Sequence, residues 1–336
     1  MKILIRVDGS HQIGLGHIVR MSVLAEYLTK IGNFIGFFTK KDEVSIQILN
    51  RTGCKVYSFE EAVNPPWEDI VSEFSPDIIV QDRLATTKEE IEQIRYVTKA
   101  KLINIDDVGA GLESADTVIN PMVFLWNQYE SRKVRIPIYE GSDYMILSPS
   151  ILEHASSFVF HKKVNNLLLS FGGTDTHFIT ERILTIVNEI PEKLNVTVNL
   201  GPGSRKTEFL ERQLSSSFHN VRFLHPSLDL LKEFINTDLV ICAGGVMLYE
   251  LAALGVPSLS VAAEIHEIMN IKYFEMKGTT VSLGYEKNMD PGLVKKKIER
   301  IIANSESRLS LSRSGKALLD GRGIERVVKI LTDIKI

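Results

Sequence analysis

Short apolar runs that alternate with amphipathic stretches constrain the fold of this chain more than any other feature of it. Runs of about four to eight apolar and β-branched residues bounded by turn formers read as strands. Intervening stretches with apolar residues every three or four positions read as helices. In the first half, strands are expected at Lys2–Val7, Phe34–Thr39, Lys55–Phe59, Asp77–Gln81, Lys101–Asp106 and Thr117–Asn120, with helical spacing at His17–Ile31 and Lys88–Ala100. The rhythm breaks from about Trp126 to Phe160 and then resumes. Strands are expected next at Asn165–Ser170, Asn195–Leu200, Val221–Leu224, Asp238–Cys242, Ser258–Val261 and Thr280–Leu283, with charged helices from Pro291 onward. Alternation of this kind builds βαβ units on a parallel sheet. Two such series in 336 residues predict an α/β protein of two Rossmann-like, doubly wound domains, over 1–150 and 151–336. Ligands of such sheets bind outside the carboxyl ends of the strands, so a pair of domains facing across a cleft is expected.

Composition narrows the partners. The chain is 44% hydrophobic and 24% charged, enough for a sizeable core. Its net charge of −3, and the lack of any stretch interleaving Lys or Arg with aromatics, argue against nucleic acid. Cys54 and Cys242 are the only cysteines, which gives neither a disulfide framework nor a metal knuckle. The sequence enters a strand at once and holds no apolar run of the roughly 18–20 residues that span a membrane. A soluble, cytoplasmic protein is expected.

Three glycine turns follow expected strands and open expected helices. They are Gly14-Leu15-Gly16-His17, Ser170-Phe171-Gly172-Gly173-Thr174-Asp175 and Ala243-Gly244-Gly245-Val246, the last leading into a helix that carries Glu250. Glycine lets the backbone approach a ligand closely, and the free N–H groups of a helix start favour phosphate. Any one of them is equally an ordinary tight connection; three at equivalent strand ends favour a phosphate site. The dinucleotide fingerprint fails, because Val19 stands where its third glycine belongs, and no Walker A motif is present.

His17, at the start of a helix, is either a general base or a capping residue; imidazole suits the first role near neutral pH. Arg6, Asp8 and Arg20 surround the first turn. They form a salt-bridged scaffold, or Asp8 orients His17 or contacts a sugar hydroxyl; both readings stay open. Asp106-Asp107 lacks the intervening residue of a DxD metal pair and reads as structural or sugar-contacting. His266 is either a solvated helix-start residue or a donor to phosphate or sugar.

The run Arg6-Val7-Asp8-Gly9-Ser10 with Gly14-Leu15-Gly16-His17-Ile18-Val19-Arg20 resembles the N-terminal motif of the PseG/SpsG family. The resemblance continues through Ile105-Asp106-Asp107, Ile119-Asn120-Pro121, Phe171–Asp175, Ala243-Gly244-Gly245 with Glu250, and Leu254-Gly255-Val256-Pro257. The family comprises the UDP-sugar hydrolases of the pseudaminic acid pathway, which act on a UDP-linked diacetamido-trideoxy-altropyranose, and related spore-coat polysaccharide proteins. It shares the two-domain GT-B fold of the MurG-type glycosyltransferases. The resemblance implies hydrolysis of a nucleotide-sugar, most simply a UDP-sugar, at the anomeric carbon without metal or cofactor. Free sugar and nucleoside diphosphate would feed nonulosonic acid or surface polysaccharide synthesis. A GT-B glycosyltransferase is the alternative, and a non-catalytic sugar-nucleotide sensor a third reading.

By the same resemblance, the C-terminal domain holds the nucleotide and the N-terminal domain faces the sugar. His17 takes the place of the family's catalytic histidine; Asp8 is a second catalytic candidate from its place beside the first turn, not from the resemblance. Glu250 takes the place of the ribose-binding glutamate. Gly14, Gly16, Gly172, Gly173, Thr174, Gly244, Gly245 and Val246 are the nucleotide and phosphate candidates. Arg20, Asp82, His266 and Glu267 are expected on the sugar side. Two positions depart from the family: Leu84 stands for its tyrosine, and His266-Glu267 for its Asn-Gln pair. A monomer or weak dimer is expected.

Overall fold

A computed structural model describes residues 1–9, 15–61, 64–83, 85–123, 135–173, 175, 177–201, 204, 207–224 and 230–333. The chain divides into two compact units, 1–148 with 322–336, and 149–321. The first contains β1 (Lys2–Val7), α1 (Gly16–Lys30), β2 (Phe34–Lys40), α2 (Glu43–Asn50), β3 (Lys55–Phe59), α3 (Trp67–Phe74), β4 (Ile78–Asp82), α4 (Lys88–Val97), β5 (Lys101–Ile105), β6 (Thr117–Asn120) and β7 (Ile138–Glu140). Its sheet runs in the order β3-β2-β1-β4-β5-β6-β7, every pairing parallel.

The second unit opens with α5 (Pro149–Glu153) and continues through β8 (Asn166–Ser170), α6 (Ile179–Val187), β9 (Asn195–Asn199), α7 (Glu208–Ser216) and β10 (Asn220–Phe223). It goes on with α8 (Leu231–Ile235), β11 (Leu239–Ala243), α9 (Met247–Leu254), β12 (Ser258–Ala262), α10 (Ile265–Met276), β13 (Thr280–Tyr285), α11 (Pro291–Ala303) and α12 (Ser305–Leu318). Its sheet is β10-β9-β8-β11-β12-β13, again wholly parallel. A final helix, α13 (Gly323–Asp333), belongs to the first unit.

Every strand expected from the sequence is present, with small shifts at the ends. β7 and α5 lie inside the stretch from Trp126 to Phe160 where the sequence rhythm breaks and few periodic segments are clear. They are too short, and β7 too exposed, to leave a periodic signature.

The strand runs lack polar alternation because both faces of each sheet are covered. In β1, Ile3, Ile5 and Val7 face a cluster with Met21, Leu24 and Leu28 of α1. Leu4 points the other way, toward Phe38, Trp67 and Phe74. The same logic places α13. Its apolar residues Ile324, Val327, Val328 and Leu331 recur at the spacing of one helical face and join the cluster around Ile3 and Ile5. The expectation of a second domain running to residue 336 differs here: the apolar stripe of the last helix is buried on the first sheet.

In the second unit α12 lies on α9, and a glycine sets their distance. A β-carbon at Gly315 would stand 2.7 Å from the Ala252 carbonyl oxygen and 3.0 Å from its Cα. Backbone cannot yield as a flexible side chain does. Gly315→Ala is therefore expected to lower stability by about 1–3 kcal/mol through overpacking. A thermal melt checks this; an unchanged Tm would contradict close packing of α12 on α9.

Candidate functional site

Both sheets reverse strand order beside their first strand. β1 has β2 on one side and β4 on the other, and β8 lies likewise between β9 and β11. At such a reversal the connections leave to opposite faces and open a crevice at the carboxyl ends of the strands. In the first unit this point lies between the start of α1 and the end of β4.

His17 stands in the first turn of α1 with its side chain 24% exposed, and its Nδ1 lies 2.8 Å from Oδ1 of Asp82, the last residue of β4. Arg20 follows one turn later on the same helix face. Its Nε donates to Asp82 Oδ2 at 3.1 Å and its Nη2 to Asp82 Oδ1. Its Nη1 donates to Asp106 Oδ2 at 2.5 Å, and Nη2 is also 3.2 Å from His17 Nδ1. Arg20, Asp82 and Asp106 are all buried. Asp106 adopts a left-handed backbone, φ 55°, which aspartate tolerates better than most side chains.

Charge is shared unequally among these groups. Burial opposes ionisation of Asp82, but Arg20 and then His17 outweigh it and hold this carboxyl below the usual range. Burial pushes Asp106 up; Arg20 opposes the rise and Asp82 adds to it. Burial also disfavours the charge on Arg20, yet the two carboxylates more than offset that and raise its pKa. Guanidinium only donates and an ionised carboxylate only accepts. His17 Nδ1 faces both, and the shorter contact, 2.8 Å to Asp82 against 3.2 Å to Arg20 Nη2, favours the hydrogen of a neutral ring on Nδ1, with the lone pair on Nε2.

Asp82, expected on the sugar side, is therefore the carboxylate that meets His17. Asp8 does not. Its carboxylate is held by Arg6, at 2.7 Å through Oδ2, and by the Lys40 amide at 2.8 Å, with Arg83 Nε 3.7 Å away. Burial opposes the charge of Asp8, and Arg6 and the Lys40 amide keep its pKa low all the same. Arg6 in turn lies 5.1 Å from the ring centres of both Phe38 and Phe59. Asp107 is saturated: it accepts from the Thr86 amide and hydroxyl, from Asn104 Nδ2 and from the Gly109 amide. It ties the β4–α4 loop to the end of β5, a structural task. Among the described residues, no group of three or more His, Cys, Asp or Glu is placed to hold a metal ion.

In the second unit the glycine turns lie at the matching reversal, after β8 and after β11. Gly172 is exposed with φ +89°, and a β-carbon there would meet nothing within 4 Å. Asp175 caps α6, accepting from the amides of Ile179 and Thr180 at 2.9 and 2.8 Å. The second turn is braced from behind. A β-carbon on Gly244 would stand 2.8 Å from Glu267 Cβ and from Ile271, so α10 requires glycine here. The Gly244 amide donates to the Glu267 carboxylate. The Gly244 carbonyl accepts from Asn270 Nδ2, whose own Oδ1 accepts from the Tyr249 hydroxyl at 2.9 Å. Glu267 also accepts from the Ala263 amide at 2.7 Å and forms a capping box with Glu264. Burial raises the Glu267 pKa, and these amide bonds hold back part of the rise.

Two expectations change as a result. Glu267, expected on the sugar side, is buried and spends its carboxylate on backbone amides. Gly244, expected to offer its amide to phosphate, has that amide engaged. The donors left at the start of α9 are the amides of Gly245, Val246 and Met247, which an α-helix cannot pair internally. Glu250 sits half-buried in the first turn of α9. His266 is exposed in the first turn of α10, and Gly16 is exposed where α1 begins. Gly14, Thr174 and Leu84 lie outside the described residues.

Sequence reasoning missed the Arg20–Asp106 pair and the Asn270–Tyr249 brace. Two signals were available. His17 and Arg20 share a helix face at i, i+3, and Glu264-Ile265-His266-Glu267 has the spacing of a capping box.

Residues 167–322 match the glycosyltransferase family 28 C-terminal domain. The chain is 29% identical to the spore coat polysaccharide biosynthesis protein SpsG of Bacillus subtilis (strain 168), over 99% of this chain and 98% of that one. Among solved structures, MurG of Acinetobacter baumannii is similar with a TM-score of 0.74 at 14% identity, covering 99% of this chain and 100% of that chain. The UDP-GlcNAc 2-epimerase of Neisseria meningitidis, solved with UDP-GlcNAc bound, is similar with a TM-score of 0.65 at 14% identity, covering 99% and 100%. At such identities the structures speak for the fold alone. No helix among the described residues is long and apolar enough to cross a membrane. Two parallel-sheet α/β units, a match to the family 28 C-terminal domain and end-to-end similarity to SpsG give the chain a GT-B fold and make it similar to the SpsG/PseG-like proteins.

Proposed function

We propose that this chain hydrolyses a nucleotide-sugar, a UDP-sugar in the first instance, at the anomeric carbon. Free sugar and nucleoside diphosphate are the products, and surface polysaccharide or nonulosonic acid synthesis is the setting. The observation that carries this reading is the bond from His17 Nδ1 to buried Asp82, 2.8 Å long, which leaves Nε2 as the proton acceptor. Water attacks C1 while its proton passes to His17 Nε2. The bond from C1 to the diphosphate oxygen breaks, and the diphosphate leaves with the electron pair. General-base help of this kind contributes about 10²–10⁴-fold.

The departing charge is met by the amides of Gly245, Val246 and Met247 and by the positive end of the α9 dipole. Fixed dipoles aimed at developing charge are often the largest catalytic contribution. Gly172 and Gly173 line the diphosphate, Glu250 binds the ribose, and His266 donates to sugar or phosphate. Glu267 supports this seat from behind. Asp8 takes no part at the reacting atoms, since Arg6 and the Lys40 amide occupy its carboxylate.

Transfer to a sugar acceptor is the second reading, favoured by the family 28 domain and the likeness to MurG. The two separate cleanly. With a UDP-sugar donor in heavy-oxygen water and no acceptor, hydrolysis is expected to release UDP and to place the label on the sugar. Release only when an acceptor sugar is added would overturn hydrolysis in favour of transfer. Label on the diphosphate would place the cleavage at phosphorus and defeat both.

Two variants test the parts. His17→Ala is expected to lower kcat by about 10²–10⁴-fold while donor binding stays within a few-fold. Glu267→Ala unties the Gly244 turn, and UDP affinity is expected to fall on the order of tenfold, about 1.4 kcal/mol. A smaller UDP-induced rise in Tm reads this out.

A further inference from the structure

The His17 imidazole does not stand alone against Asp82. Arg20 grips both oxygens of that carboxylate and is itself anchored by Asp106 at 2.5 Å. The other charged groups of this corner are committed elsewhere. Asp8 is held by Arg6, and Arg83 pairs with Glu90. One buried cation thus stands between two buried carboxylates, and only one of those carboxylates touches the imidazole.

We infer that Asp82 and Arg20 are positioning residues that together fix the tautomer of His17, with Asp106 holding Arg20 in place. The physical reason lies in what each group can donate. An ionised Asp82 accepts only, and at 2.8 Å it lies closer to Nδ1 than Arg20 Nη2 does at 3.2 Å, so in a neutral ring Nδ1 carries the hydrogen and Nε2 the lone pair. Without Arg20, a carboxylate buried this deeply lacks its compensating charge and takes up a proton. Protonated, it becomes a donor to Nδ1. The imidazole hydrogen then moves to Nε2 and the outward-facing base is gone. Arg20 therefore acts on His17 chiefly through Asp82, beside its own 3.2 Å approach to Nδ1, and need not touch substrate.

For catalysis the inference rests on His17 being the base; the tautomer itself does not. Side-chain nitrogen–proton NMR correlation on the whole protein reads the tautomer of His17 directly, its signal identified by its loss in His17→Ala. The native protein is expected to show hydrogen on Nδ1, and hydrogen on Nε2 would overturn the inference without any variant being made. In Asp82→Asn, nearly identical in shape, the ring is expected to lose its preference for the Nδ1 hydrogen. kcat for donor turnover should fall on the order of 10²–10⁴-fold with KM within a few-fold, as when an orienting carboxylate is removed from a catalytic histidine.

Arg20→Lys keeps the charge and is expected to retain the Nδ1 tautomer in part, whereas Arg20→Met loses it. A buried structural ion pair would give the opposite pattern: both variants destabilised, and the His17 tautomer unchanged. If the tautomer behaves as expected while His17→Ala still turns over donor, His17 is not the base, and the tautomer inference stands without its catalytic consequence.

Discussion

A guanidinium removed from water must find compensation on every side, and in this chain Arg20 finds it in Asp82 and Asp106. The three come from α1, the end of β4 and the residue after β5, so the ion pairs hold together the elements that meet where the strand order reverses. Removing one partner from such a buried set leaves an uncompensated charge and typically costs about 3–5 kcal/mol. The first turn of α1 is consequently fixed in position, and His17 with it. Such fixity suits the base proposed for His17, because small displacements of a catalytic group are expensive.

The second unit meets the same demand with different chemistry. Its turn after β11 carries glycines, which have no side chain to lock them. The lock comes from α10: Glu267 takes the Gly244 amide, Asn270 takes the Gly244 carbonyl, and Tyr249 holds Asn270. Each buried polar atom in this brace has a partner, so the turn is rigid without an unsatisfied group behind it. The amides of Gly245, Val246 and Met247 lie at the start of α9, where a helix favours an anion. In both units a buried polar bracket stands behind the edge proposed to react or to bind.

Much of this was legible in advance. Strands buried on both faces announce themselves as unbroken apolar runs, so Ile3-Leu4-Ile5 or Leu167-Leu168-Leu169 could hardly be anything else in an alternating α/β chain. His17 could be singled out because a histidine follows a glycine turn at a helix start. The role of Asp82 could not. It lies 65 residues from His17 in sequence, and the two meet only because β4 pairs with β1 in parallel. Glu267 was misplaced for a related reason: the capping-box spacing was legible, but its bond to the Gly244 amide depends on α10 lying against the turn after β11, which no local pattern records.

The sequence by itself determined the two series of βαβ units, their approximate limits, the glycine turns and the run of helices after Pro291. Those are local matters, written in periodicity and in residues with restricted or permissive backbones. Tertiary structure decided which sheet the stripe of α13 covers, which carboxylate faces His17, and which glycine amide is already engaged. A helix face specifies that it must be buried, not against what, and a carboxylate specifies that it needs a donor, not which one. Those choices are made only when strands far apart in the chain are brought side by side.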